Sequence, residues 1–245
     1  MFMELGLLGI FIGIVSGFFG IGGGTVSVPI LLYLGFDIKQ AIAISVMQMA
    51  VSSVAGALIH RKKQTYSLGD MQYFGYGGIV GAMIGGYLVS ILHGAILGWI
   101  FLALVIFTLA KLFLANPEPI HEKIVNYPLY LAIGTGVGVF SGMLGVGGSI
   151  LMTPILVSFL GFPLKKASSV GLFYVMFTSI SSFVTLSWLG MMQYQAGAIM
   201  ALGSLIGIRA GIWLLQKIKI THYKQFLVAF YVVILIITAN KLLLG

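Results

Sequence analysis

Apolar residues along this chain gather into ten runs, at about 4–18, 25–35, 40–59, 70–92, 94–115, 128–144, 149–160, 166–188, 193–216 and 223–244. The longer runs approach the roughly 20 residues that a helix needs to cross a hydrocarbon layer, with few or no ionic groups inside them. The pattern predicts an all-α polytopic membrane protein. A transmembrane barrel would show short alternating segments instead. Two stretches, 4–35 and 128–160, are interrupted by glycines. A helix over 4–18 would rise only about 22 Å at 1.5 Å per residue, whereas the whole 4–35 stretch is too long for one ordinary crossing. Two half-length helices meeting at the glycines, as a re-entrant hairpin or a discontinuous helix, fit better.

The interruptions are copies of one phrase. The first reads Ser16-Gly17-Phe18-Phe19-Gly20-Ile21-Gly22-Gly23-Gly24, then Pro29-Ile30-Leu31 and Gly35-Phe36-Asp37-Ile38-Lys39-Gln40-Ala41. The second reads Ser141-Gly142-Met143-Leu144-Gly145-Val146-Gly147-Gly148-Ser149, then Pro154-Ile155-Leu156 and Gly161-Phe162-Pro163-Leu164-Lys165-Lys166-Ala167. Pairing 16–34 with 141–159 and 35–41 with 161–167 gives 12 identities in 26 positions with one single-residue gap. The chain is therefore a duplication. Repeat 1 spans 1–115 (broken pair 4–35, spans 40–59, 70–92 and 94–115), and repeat 2 spans 128–245 (broken pair 128–160, spans 166–188, 193–216 and 223–244). Between them, 116–127 reads as a linker rich in proline and charge. Glycine-interrupted apolar segments at matching places in two halves point to a transporter binding site.

Charge selects the topology. With a hairpin and three crossings per half, and Arg61-Lys62-Lys63 in the cytoplasm, Lys111, Lys123, Lys165, Lys166, Lys217, Lys219 and Lys224 also fall inside. Only Lys39 and Lys241 fall outside, and the second half then runs inverted relative to the first. A single net passage through 4–35 would make the repeats parallel and split the basic loops between both faces. This placement also accounts for the net charge of +8 without nucleic acid as a partner. Composition agrees, with 60% apolar and 7% charged residues and a mean hydropathy of +1.12. The absence of cysteine excludes disulfides, thiol catalysis and thiolate metal sites. Met1-Phe2-Met3-Glu4 offers no basic leader region, so no cleaved signal peptide is read.

The candidate chemistry lies at the breaks. Gly20, Gly22, Gly23 and Gly24, followed by Thr25, and Gly145, Gly147 and Gly148, followed by Ser149, let the main chain approach a ligand. A helix starting just after each break aims free N–H groups and partial positive charge at the midplane, an anion site. The alternative role for these glycines is close packing or a hinge. Arg209 falls inside a span with no acidic partner in reach, so it is expected to face a cavity and grip an oxyanion, or else to snorkel or cap freed carbonyls. Ser16, Ser141, Ser45 and the mid-span amide Gln48 would complete the pocket. Met83 stands where the second half has Arg209, and Tyr174 stands at the repeat position of Gln48. No catalytic set, cofactor motif or metal cluster emerges, and the methionines lack a ladder spacing for soft metals.

The paired phrase, with Pro29 and Pro154 and the later Gly207-x-Arg209-x-Gly211, resembles the TauE/SafE sulfite exporter family, also called the toluenesulfonate uptake permeases. The resemblance covers essentially the whole chain. It implies a multi-pass permease of a bacterial or archaeal cytoplasmic membrane for sulfur anions such as sulfite, sulfonates or sulfoacetate, working by alternating access. Ser149 departs from the third glycine of the phrase, so the two half-sites differ. The expected partners are a small anion, the bilayer and a second copy of the chain as a homodimer. An anion channel and a non-transporting membrane scaffold remain as alternatives.

Overall fold

In the computed structural model, residues 2–62, 68–114 and 126–244 are described and carry ten helices with no strand. They are α1 (Phe2–Phe19), α2 (Gly24–Tyr33), α3 (Ile38–Lys62), α4 (Leu68–Ile91), α5 (Gly94–Leu114), α6 (Tyr127–Leu144), α7 (Ser149–Ser158), α8 (Leu164–Trp188), α9 (Tyr194–Lys217) and α10 (Ile220–Leu244). Their ends lie within three residues of the apolar runs read from the sequence. Lys63, Glu118, Glu122, Lys123 and the linker through residue 125 lie outside the described residues, as do the side chains of Arg61, Lys62, Asp70 and Lys165. Seven helices, α3 to α6 and α8 to α10, are long and apolar enough to cross a membrane. The chain is thus a multi-pass membrane protein. α6, at 18 residues, reaches spanning length, because the helix runs unbroken from its Asn126 cap to the break.

Small residues set how the helices pair. On α9, Gly203, Gly207 and Gly211 pack against the backbone of α1 at Gly6, Ile10 and Ile14 in turn. On α4, Gly77, Gly81 and Gly85 meet the α6 backbone at Leu131, Thr135 and Val139. Both registers climb together, so each pair runs in one direction at backbone contact, as small residues permit in an apolar medium. The opening helix of each half is thereby clasped by the fourth helix of the other half.

The same reading gives further directions. Gly197 meets Met47 and Gly56 meets Ile208, so α3 runs with α9. Gly75 meets Phe177 and Gly86 meets Thr185, so α4 runs with α8. The short helices run the other way. Gly24 lies beside Met49 while Ser27 reaches Ser45, so α2 returns antiparallel to α3, and therefore to α1. α7 does the same against α8, with Gly148 beside Tyr174 and Thr153 beside Gly171. Both glycine breaks therefore reverse the chain, and the first pair of helices in each half is a hairpin.

Lys39 donates from Nζ to the Ser90 carbonyl at the end of α4, 3.1 Å away. Asp37 caps α3, its Oδ1 accepting from the Lys39 and Gln40 amides at 2.9 and 3.0 Å. Lys217 sits 3.9 Å over the Trp213 ring, and Lys111 lies over Phe107 and Phe159. These basic–aromatic pairs suit a membrane interface.

Gly207→Ala places a methyl into the Ile10 carbonyl with no side chain to yield, and is expected to destabilise by about 1–3 kcal/mol. Gly136→Ala meets nothing within 4 Å and should be neutral or stabilise by up to about 1 kcal/mol. Thermal unfolding of the two variants in detergent compares them directly.

Candidate functional site

The two breaks have one conformation repeated. Gly20, Gly22 and Gly23 take φ of 69°, 75° and 87°, and Gly145, Gly147 and Gly148 take 63°, 73° and 75°. Left-handed backbone at three of four positions demands glycine. The last glycine of the first phrase obeys a different constraint. Gly24 opens α2 in helical conformation, and a side chain there would strike the Gly145 carbonyl. Its counterpart Ser149 likewise opens α7 as a helical residue, so the neighbour rather than the backbone conformation sets the demand for glycine at position 24.

The breaks meet at the centre of the molecule. A methyl on Gly22 would lie 2.6 Å from Val175 and 3.4 Å from the Met49 sulfur; one on Gly147 would lie 2.7 and 3.0 Å from the same two groups. Met49 and Val175 are themselves repeat counterparts, 126 residues apart. So are Ser53 and Ser179, whose hydroxyl oxygens stand 3.2 Å apart. Equivalent positions of the two sequence repeats thus lie together at the centre.

Backbone satisfaction at the breaks is uneven. Ser27 Oγ donates to Ser45 Oγ at 2.7 Å, and Ser45 Oγ donates to the Gly145 carbonyl at 2.7 Å. Thr178 Oγ1 donates to the Gly147 carbonyl at 3.0 Å. Neither half-helix carries a side-chain cap: Gly23 and Gly148 hold the capping positions. Among the described residues, the amides of 21–25 and 146–150 have no acceptor. Each half-helix therefore starts, with open donors and the positive end of its dipole, where the two breaks meet.

Six buried side-chain oxygens around this centre also lack partners: Ser16 Oγ, Thr25 Oγ1, Gln48 Oε1, Ser141 Oγ, Ser149 Oγ and Thr153 Oγ1. Gln48 lies against Gly23, its Oε1 3.0 Å from where a methyl would stand, while Nε2 donates to Ser52 Oγ at 3.0 Å. In the second half Tyr174 occupies that place, with its hydroxyl donated to the Gly134 carbonyl at 2.6 Å. Each unpaired buried hydroxyl or amide costs on the order of 1–3 kcal/mol. Such a concentration at one place is unusual in a buried core and calls for an explanation.

The structure thus gathers Gly20, Gly22, Gly23, Gly24, Thr25, Gly145, Gly147, Gly148 and Ser149 at the meeting breaks, with Gln48 and Ser45 touching them. Ser141 lies beside Gly148, and Ser16 sits one turn before its break, accepting from the Gly20 amide at its carbonyl. Arg209 is the exception and corrects the sequence expectation. Its side chain is exposed on the outer face of α9, because Gly207 and Gly211 on either side are turned into α1. Among the described residues no charged side chain is buried. Met49, Val175, Thr178 and the Ser53–Ser179 pair were not singled out from sequence. The repeat offset of 126, carried forward from Gln48 and Tyr174, points to all of them.

Among the described residues, ten helices, two reversing glycine hairpins and a buried polar centre free of fixed charge make up a multi-pass membrane protein. The sequence profile of the family described as sulfite exporter TauE/SafE matches residues 5–239, and the chain belongs to that family. It is 24% identical over 245 residues to the probable membrane transporter protein YunE of Bacillus subtilis, covering 89% of this chain and 90% of the relative. A probable membrane transporter protein of Methanocaldococcus jannaschii is 26% identical over 239 residues, covering 89% and 88%. YfcA of Escherichia coli, also a probable membrane transporter protein, is 25% identical over 214 residues, covering 84% and 79%.

Thr25→Val keeps the side-chain shape and removes an unpaired hydroxyl, as Ser141→Ala does in the other half. Without ligand, each is expected to leave the melting temperature unchanged or raise stability by about 1 kcal/mol. A clear loss of stability in either would mean that the hydroxyl has a structural partner.

Proposed function

We propose that the chain is a secondary transporter of small sulfur-containing anions, of the sulfite, organosulfonate or sulfoacetate class. The anion sits where the two hairpin breaks meet, and the halves rock about it. The observation that carries this reading is the pair of uncapped half-helices with open amides aimed at one buried centre. Each helix N-terminus contributes up to about 2 kcal/mol toward a partly buried anion, and hydroxyls and the Gln48 amide orient its oxygens. The family's description supplies the sulfur class.

Helix directions favour inverted repeats. α1, α3 and α9 run one way and α4, α6 and α8 the other, so α1/α6, α3/α8 and α4/α9 are counterparts pointing oppositely. The breaks are buried throughout, 20–24 and 145–149 alike, so the described conformation is occluded and transport requires opening to each side in turn. Without a buried arginine, selectivity rests on oxygen geometry and size rather than on a fixed charge.

Purified protein screened by thermal shift against sulfite, sulfate, thiosulfate, sulfoacetate, taurine, simple carboxylates and chloride tests this, because a ligand of the folded state raises the melting temperature by mass action. One sulfur anion should stabilise selectively. The effect should be lost in Gln48→Leu and kept in Arg209→Gln, with proteoliposome uptake of that anion following the same order. Uptake unchanged in Gln48→Leu and abolished in Arg209→Gln would contradict the assignment.

A further inference from the structure

The two halves satisfy their breaks differently, and the difference leaves a cluster of unpartnered oxygens. In the first half, Ser27 and Ser45 form a relay that ends on the Gly145 carbonyl. Under the repeat pairing, Ser27 becomes Met152, Ser45 becomes Gly171 and the Gly145 carbonyl becomes that of Gly20. The second half therefore has no donor where Ser45 stands in the first. Among the described residues nothing donates to the Gly20 carbonyl, although Gly20 is buried.

Two hydroxyls absent from the first half appear at the same spot. Ser149 replaces Gly24 and Thr153 replaces Val28, one turn apart on α7. They are 0% and 2% exposed, and neither Ser149 Oγ nor Thr153 Oγ1 has a hydrogen-bond partner. A methyl on Gly171 would stand 3.3 Å from the Gly20 oxygen, 3.3 Å from Ser149 Cβ and 3.6 Å from Thr153 Oγ1, with nothing nearer beyond its own helix. Three oxygen-bearing groups, the Gly20 carbonyl of the first break and the Ser149 and Thr153 side chains of α7, thus gather against Gly171, where even a methyl would be in tight contact.

We infer that this oxygen cluster is a site for a small hard monovalent cation of the sodium class, bound together with the transported anion. The proposal rests on the transport reading above. Carbonyl and hydroxyl oxygens are the ligands such cations take, and carbonyls freed at the ends of broken membrane helices coordinate them in carriers. No carboxylate is buried among the described residues, which disfavours a divalent ion. The anion gives the cation its reason to be there. No fixed positive charge is buried near the breaks, so a cation beside the Gly20 carbonyl offsets an anion on the amides that follow in the same segment. The N-terminal end of α7 opposes a cation on its own. The two ions therefore bind with positive, reciprocal coupling.

The decisive variant copies the first half into the second. Gly171→Ser puts a hydroxyl where it can donate to Gly20, as Ser45 does to Gly145, and so fills the site; Thr153→Val removes one ligand oxygen at constant shape. Melting temperatures are measured in NaCl against choline chloride at equal chloride, each with and without sulfoacetate. The wild type should show a saturable sodium-specific rise, larger with sulfoacetate, and both variants should lose it. A sodium effect absent from the wild type, as for a site holding only water, or one retained in both variants, overturns the proposal. If Gly171→Ser does not fold, Thr153→Val alone decides between loss and retention. A sulfoacetate shift in choline that survives in Thr153→Val separates failure of the cation site from failure of the anion reading.

Discussion

Unwound main chain inside an apolar helical body is the constraint on which everything else depends. The segments 20–23 and 145–148 expose amides and carbonyls where neither water nor lipid can meet them cheaply, and such backbone is tolerated only in protein or beside a polar cavity. Three left-handed glycines per break turn the chain back on itself, and the turn points each short helix toward its twin. In the second break the Gly145 and Gly147 carbonyls are met by Ser45 and Thr178, while in the first the Gly20 carbonyl is not. The amide ends are left open. That imbalance makes the centre a place for negative charge.

The remaining helices hold the two breaks against each other. α9 clasps α1 and α4 clasps α6 through glycines in backbone contact, so neither hairpin is held only by its own half. The Met49–Val175 and Ser53–Ser179 pairs close the middle between the breaks. Against the sequence repeat the departures stand out. Gln48 corresponds to Tyr174, Ser45 to Gly171 and Gly24 to Ser149, so the first half brings the unpaired Gln48 oxygen and the bare Gly20 carbonyl, and the second brings the Ser149 and Thr153 hydroxyls.

Much of this was legible in the sequence, because local rules govern it. The duplicated glycine phrase gave the places of the breaks, since only glycine accepts that backbone, and the ten apolar runs match the helices to within three residues. What the sequence did not yield depends on contacts between distant segments. Arg209 looked like an inward-facing cation because it interrupts a span. Its direction is decided by Gly203, Gly207 and Gly211 packing on α1, nearly two hundred residues earlier in the chain. The Ser149 departure from Gly24 is plain in the sequence, but its cause, the Gly145 carbonyl pressed on Gly24, is a contact between distant segments.

The central claim is that the meeting breaks form one occluded binding site that opens to either side of the membrane. The chain has no cysteine, so a single cysteine at Thr25, buried in the described conformation, is a clean reporter. Its rate of reaction with an impermeant thiol reagent would be measured from each face of oriented vesicles, with and without sulfoacetate. The account predicts reaction from both faces and protection by the anion on both. Reaction confined to one face, or unaffected by the anion, would contradict it.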